Sequence, residues 1–144
     1  MVIGRMCKLL TATTQRVKSF CGSAGKSLET FRYFNSRPFT IISNNLVTYV
    51  LTHDDKEVAY GHLDVEEGHT WLGICVGEKY LGQGYGKEMI HELLTYADLK
   101  GASPILLSVD KDNLSAISLY NKVGFVTTKT TESVYYMRRE VTYE

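Results

Sequence analysis

Apolar residues recur at helical spacing over residues 84–100, where Met89, Ile90, Leu93, Leu94 and Ala97 fall on one side. Gly101 stops that helix. Upstream the period is different. Residues 46–52 are rich in Val, Leu, Thr and Tyr and predict a strand. A polar turn, His53-Asp54-Asp55-Lys56, leads into residues 58–65. There Ala59, Gly61, Leu63 and Val65 share one face, and Tyr60, His62 and Asp64 the other. Glu66-Glu67-Gly68 turns the chain into residues 70–76, which are nearly all apolar, as in a strand central to a sheet. Three strands joined by such short turns predict an antiparallel meander.

Beyond the helix, residues 105–109 predict a short strand. Residues 113–123 predict a helix with Ala116, Ile117, Leu119 and Tyr120 on its apolar side, closed by Gly124. Residues 125–128 and 133–139 predict two final strands. The first third is less regular. Residues 2–10 predict a short strand, and Thr13 or Thr14 caps a helix running through Phe20. Gly22 and Gly25 interrupt it, and Ser27 with Thr30 starts a second short helix into Phe31 and Phe34. Asn35-Ser36-Arg37-Pro38 predicts a turn. The order β-α-α-β-β-β-α-β-α-β-β implies an α/β (α+β) mixed sheet with helices on its faces. Without an internal repeat or a linker-like stretch, residues 1–144 are expected to form a single domain.

Sixteen basic residues balance sixteen acidic ones, so the footprint of a nucleic-acid binder is missing and neither nucleic acid nor an anionic membrane is expected as a partner. The three cysteines, Cys7, Cys21 and Cys75, are odd in number and lack metal-ligand spacing, which points to no metal and no disulfide framework. No apolar run approaches the ~18 residues of a membrane span. A cytoplasmic protein with reduced thiols is the expectation.

Chemistry concentrates in Leu81-Gly82-Gln83-Gly84-Tyr85-Gly86-Lys87, where a buried strand runs into a glycine-rich loop that opens the long helix. Gly82, Gly84 and Gly86 let the backbone adopt conformations closed to other residues and approach a ligand. The free N–H groups of the loop and the first helical turn then converge, and the helix dipole adds positive potential. Lys87 contributes a cation. Alone, this spacing also fits a tight turn. A P-loop is excluded by spacing, and the preceding antiparallel strands fit a dinucleotide fingerprint poorly.

A second segment, residues 108–125, contains Asn113, Ala116, Leu119-Tyr120 and Gly124-Phe125. Asn113 can cap the helix, and Tyr120 lies near the same helical face seven residues on. The two segments together resemble the GCN5-related N-acetyltransferase (GNAT) superfamily: its Gln/Arg-x-x-Gly-x-Gly/Ala coenzyme loop, followed by Asn-x-x-Ala-x-x-Leu-Tyr-x-x-x-Gly-Phe. The resemblance covers about residues 46–139 by motif and the first 45 by element order. It implies a mixed, mostly antiparallel sheet of about six to seven strands flanked by about four helices. It also implies acetyl-coenzyme A as co-substrate.

By the same resemblance, Ile74, Cys75 and Val76 would lie along the pantetheine arm, and Gly82, Gln83, Gly84, Tyr85, Gly86 and Lys87 would hold the pyrophosphate. Asn113 would touch the coenzyme, and Tyr120 would protonate the leaving thiolate. Leu81 stands where the family usually has Gln or Arg, so the grip rests on backbone N–H groups, with Gln83 as a partial substitute. The strand carboxylate that many relatives use as a base is replaced by Trp71. His62 is then the nearest candidate base, because an unperturbed imidazole titrates near ~6.5; Glu66, Glu67 or His69 acting through water are alternatives. For the acceptor amine, Arg32, Tyr33, Arg37 and Trp71 are candidates. Aromatic rings there can stack on a sugar or base, and the arginines can pair with phosphates. A small polar amine such as a nucleotide-linked aminosugar fits these residues. A peptide acceptor, or a module that binds acyl-coenzyme A without catalysis, are the alternatives. The strand-rich C-terminus, with Tyr135, Tyr136 and Met137, allows a homodimer.

Overall fold

The computed structural model describes residues 7–31, 33–35 and 37–141. Seven strands form one sheet in the order β1-β2-β3-β4-β5-β7-β6. They are β1 (Cys7–Thr11), β2 (Val47–His53), β3 (Lys56–Glu66), β4 (His69–Val76), β5 (Ile105–Asp110), β6 (Val126–Thr130) and β7 (Val134–Arg139). Every neighbouring pair is antiparallel except β4 and β5. Three α-helices accompany the sheet: α1 (Thr14–Ser23), α2 (Tyr85–Lys100) and α3 (Leu114–Lys122). The part of the predicted first strand that precedes Cys7 lies outside the described residues. Among those residues, no helix is long and apolar enough to cross a membrane.

Local chemistry sets most boundaries. Thr13 caps α1 by accepting the Arg16 N–H at 3.2 Å, and the helix continues through Gly22 rather than stopping before it. Gly101 ends α2 with a left-handed backbone (φ 68°), and the Ala102 N–H returns to the Ala97 carbonyl. Asn113 caps α3 by accepting the Ala116 N–H. The second predicted short helix differs. It is realised as two 3₁₀ turns, Gly25–Glu29 and Tyr33–Asn35, and a third, Phe39–Asn44, follows the predicted turn. Their Phe31, Phe34 and Phe39 rings pack on Tyr60 and one another, so tertiary packing rather than helical periodicity positions them.

The alternating pattern of β3 also becomes something else: Val58 through Asp64 are all buried. Helix α2 covers one face with Met89, Ile90, Leu93, Leu94 and Ala97, packed with Leu51, Ala59 and Leu63. On the other face Val17 and Phe20 of α1 join Val50, Tyr60 and Cys75. Val65, at the end of the strand, is exposed.

Helix α2 approaches the sheet closely at Gly61. A Cβ there would stand 2.6 Å from the Met89 side chain and 2.9 Å from Leu93 Cδ1. Gly61→Ala is therefore expected to destabilise the fold by about 1–3 kcal/mol through overpacking. An unchanged chemical-denaturation midpoint would contradict this account of the contact.

Candidate active site

Strands β4 and β5 pair only through Thr70 with Ile105 and Trp71 with Leu106. Past Trp71 they part: β4 stays paired with β3, and β5 stays paired with β7. The β5-facing edge of residues 72–76 is thus left without a strand partner. A cleft of about 1460 Å³ opens there, lined by both strands, the glycine loop and α3. Ile74, Cys75 and Val76 run along one wall.

The loop sits at the Val76 end. Gly82, Gly84, Tyr85, Gly86 and Lys87 all line the cleft, whereas Gln83 is exposed and is not part of the lining. Gly82 (φ 75°) and Gly84 (φ 88°) use the left-handed region that favours glycine. Gly86 is already helical, so it does not need glycine for its backbone. An added Cβ would sit in ordinary contact with Val76 and Leu119, at 3.6 and 3.7 Å. Helix α2 begins here with its free N–H groups and dipole directed at the cleft end, which suits an anion.

Helix α3 supplies the opposite wall. Asn113 spends its side-chain oxygen on the cap and lines the cleft, with its amide N–H groups left as donors. Tyr120 is only 7 % exposed, and its hydroxyl makes no hydrogen bond among the described residues. Its ring packs on Phe125, and the Phe125 N–H bonds the Tyr120 carbonyl, fixing the side chain at the end of α3. Burial, with Cys75 close by, pushes its phenol up to about 12, so it stays protonated near neutrality. Burial raises the Cys75 thiol to about 12 as well, which removes it as a thiolate nucleophile.

The Trp71 end gathers the residues predicted to meet an acceptor. Tyr33, Arg37, His62 and Trp71 line it together; Arg32 lies outside the described residues. Sequence reasoning missed how these groups are wired. The Tyr33 hydroxyl donates to Asp64 Oδ2 at 2.9 Å, and Asp64 is 8 % exposed, opposite Trp71 in the β3–β4 register. Arg37 stacks on the Tyr33 ring at 4.3 Å, donates to the Tyr33 carbonyl and pairs with Glu66 at 3.4 Å. A carboxylate in the middle of a strand was the signal for Asp64, because such residues are seldom buried unpaired.

His62 does reach the cleft, but its environment corrects the reason for choosing it. Its Nδ1 lies 2.6 Å from the Tyr60 hydroxyl, its ring packs tilted against Tyr33 at 4.3 Å, and Nε2 occupies the space a Gly73 Cβ would need. Burial, aided by the Arg37 charge, lowers its pKa to about 3. It is a far weaker base than an ordinary imidazole. Among the described residues, no group of His, Cys, Asp and Glu is arranged to hold a metal ion.

Comparison with known proteins adds to this geometry. The profile of the acetyltransferase (GNAT) family matches residues 11–125. An uncharacterised N-acetyltransferase, YobR of Bacillus subtilis, is 42 % identical over 74 residues, covering 49 % of this chain and 30 % of that protein. A spermine/spermidine N(1)-acetyltransferase of B. subtilis is 38 % identical over 64 residues, covering 43 % of this chain and 42 % of that protein. The chain thus spans less than half the length of these relatives. The crystal structure of a PaiA N-acetyltransferase from Thermoplasma acidophilum in complex with coenzyme A has a TM-score of 0.77 at 16 % identity. It covers 95 % of this chain and 100 % of that one, and so shares the fold.

The lowered value of His62 has a direct consequence for stability. Between its folded value of about 3 and an unfolded value of ~6.5, the unfolded chain binds the extra proton, so stability rises with pH and is complete above that window. From pH 7 to pH 5 the wild type should lose about 2 kcal/mol more than His62→Gln. Parallel urea titrations at the two pH values measure the difference, and equal losses would show that His62 is not held neutral.

Proposed function

Because the chain belongs to the acetyltransferase (GNAT) family, we propose that the cleft binds acetyl-coenzyme A and serves direct acetyl transfer to a primary amine of a small polar acceptor. The observation that carries this reading is the parted β4 edge facing a buried tyrosine with an unused hydroxyl. Acetyl-coenzyme A supplies the activated thioester. The free N–H and C=O groups of residues 72–76 suit an amide-bearing arm such as pantetheine, as a strand edge suits a further strand. The N–H groups of the loop and of the start of α2 suit the pyrophosphate, and the Asn113 amide is a further donor. Tyr120, held protonated, provides the O–H for the departing sulfur.

For the acceptor, the commitments of Arg37 count against phosphate. Its guanidinium is already committed to Glu66, the Tyr33 carbonyl and the Tyr33 ring, so the nucleotide-linked aminosugar expected from the sequence loses one of its two candidate phosphate ligands. Asp64, bonded to the neutral Tyr33 hydroxyl, and the Trp71 ring favour a cation: a carboxylate pairs with an ammonium, and an aromatic face attracts it. A diamine or polyamine, with one neutral amine reacting and a second ammonium held by Asp64, fits these groups best. The similarity to the spermine/spermidine enzyme supports the same class.

Thiol release measured over polyamines, aminosugars, nucleotide aminosugars and peptides tests the reading. Turnover is expected with polyamines, and acetylation of peptides alone would refute it. Tyr120→Phe should lower kcat about 10²- to 10⁴-fold with little change in coenzyme affinity, the scale of a lost general acid. An unaltered kcat would remove Tyr120 from the mechanism.

A further inference from the structure

The loop between β4 and α2 contains two left-handed glycines, Gly82 and Gly84, and so cannot hold one shape through its own backbone. Side chains and main chain fasten it at both ends. At its start the Glu78 N–H donates to the Ala24 carbonyl at 2.9 Å, and Glu78 Oε1 accepts the Lys26 N–H at 2.8 Å. Gly25 makes that possible, since a Cβ there would stand 2.4 Å from Oε1. At the far end is Tyr85, the first residue of α2 and only 7 % exposed. Its hydroxyl lies 2.7 Å from Nδ1 of His53, the last residue of β2.

His53 is itself held. It sits opposite Cys7 in the β1–β2 register, with Cys7 Sγ 3.3 Å from the same Nδ1. Asp54 Oδ2 is 3.5 Å from Nε2. A proton on Nε2, facing Asp54, leaves Nδ1 as the acceptor for the Tyr85 O–H. His53 lines no part of the cleft, whereas Tyr85, Gly86 and Lys87 do.

We propose that the Tyr85–His53 hydrogen bond positions the coenzyme loop. It ties the first turn of α2 to the end of β2, and so aims the N–H groups of Gly86 and Lys87 at the ligand. His53 is then a positioning residue that governs coenzyme affinity from outside the cleft. The acceptor end, built on Asp64 and Trp71, does not share this tether. The inference rests on the cleft being the coenzyme site.

The test is calorimetric titration with coenzyme A, with steady-state KM values for both substrates, on the wild type, Tyr85→Phe, His53→Leu and His53→Asn. Tyr85→Phe deletes one oxygen and keeps the ring, so the packed core survives. Tyr85→Phe and His53→Leu should each weaken coenzyme A binding and raise the KM for acetyl-coenzyme A about 5- to 10-fold, the scale of one neutral hydrogen bond. For His53→Leu, which lies outside the cleft, the acceptor KM and kcat should stay within about twofold, and the double variant should lose no more coenzyme affinity than either single one. The Asn side-chain oxygen can replace Nδ1 as acceptor, so His53→Asn should return affinity to within about twofold of the wild type. Unchanged affinity in the first two variants, failure of His53→Asn to recover it, or an equal rise in the acceptor KM of His53→Leu would each overturn the positioning role. Wild-type binding with unaffected variants would leave the coenzyme site standing, whereas no wild-type binding would remove both.

Discussion

Every buried N–H and C=O needs a partner, and the organisation of this molecule turns on where that requirement stops being met within the sheet. Strand β4 is paired on both edges only as far as Trp71. Beyond it, β5 keeps its bonds to β7 and turns away, so the middle of the sheet carries an open edge. In most sheets an open edge sits at the rim, where it invites aggregation. Here it is enclosed by α3 and by the start of α2. It is therefore accessible to a narrow extended ligand and closed to another strand. The glycine loop, Tyr120 and the Tyr33–Asp64–Trp71 group all lie around that parting: one at each end, and one across the gap.

The acceptor end shows how pairing changes the meaning of a residue. Read as a string, the segment from Phe31 to Arg37 offers two arginines and three aromatic rings, an attractive surface for phosphate and sugar. In the fold, Arg37 is bonded to Glu66 and to Tyr33, and Tyr33 is bonded to Asp64. Arg37's positive charge is balanced by Glu66, which leaves Asp64, whose partner among the described residues is the neutral Tyr33 hydroxyl, as the remaining charge of that network. The same burial that fixes this network keeps His62 neutral. A neutral imidazole, packed over Gly73 and bonded to Tyr60, is better suited to holding the cleft floor in shape than to removing a proton from an amine.

Much of this was legible in the sequence. The strands β2 to β4, helix α2 and helix α3 were readable because each carries its own period and its own stop, as Gly101 and the Asn113 cap illustrate. The glycine loop alone was readable only as a tight turn or an anion site, and it took the segment from Asn113 to Phe125 to point to a coenzyme. What was not legible depends on contacts between distant segments. Two 3₁₀ turns replace a predicted helix because Phe31 and Phe34 pack on Tyr60, which lies on β3, with Phe39 packed on Phe34. The burial of both faces of β3 requires α1 and α2 to cover it from opposite sides, and no local pattern announces that. Gly86 was read as one of three conformational glycines, yet its backbone is helical, and its small size matters only where Val76 and Leu119 draw near.

Glycine freedom and ligand grip pull against each other. A loop able to bring its N–H groups close to a pyrophosphate must visit left-handed conformations, and the residues that allow this also enlarge the number of shapes it can adopt when free. Each extra shape lowers the population of the one that binds, and so lowers affinity. Lys87 lines the cleft and offsets part of that loss, but the family's usual Gln or Arg is Leu81 here, and Gln83 is exposed and does not line the cleft. The remaining remedy is to restrict the loop from outside. Glu78 at one end and Tyr85 at the other do this through partners that belong to different parts of the chain, Ala24 and Lys26 in one case and His53 in the other. A backbone-based anion site with an apolar first residue therefore depends on its anchors more than a site rich in cations would.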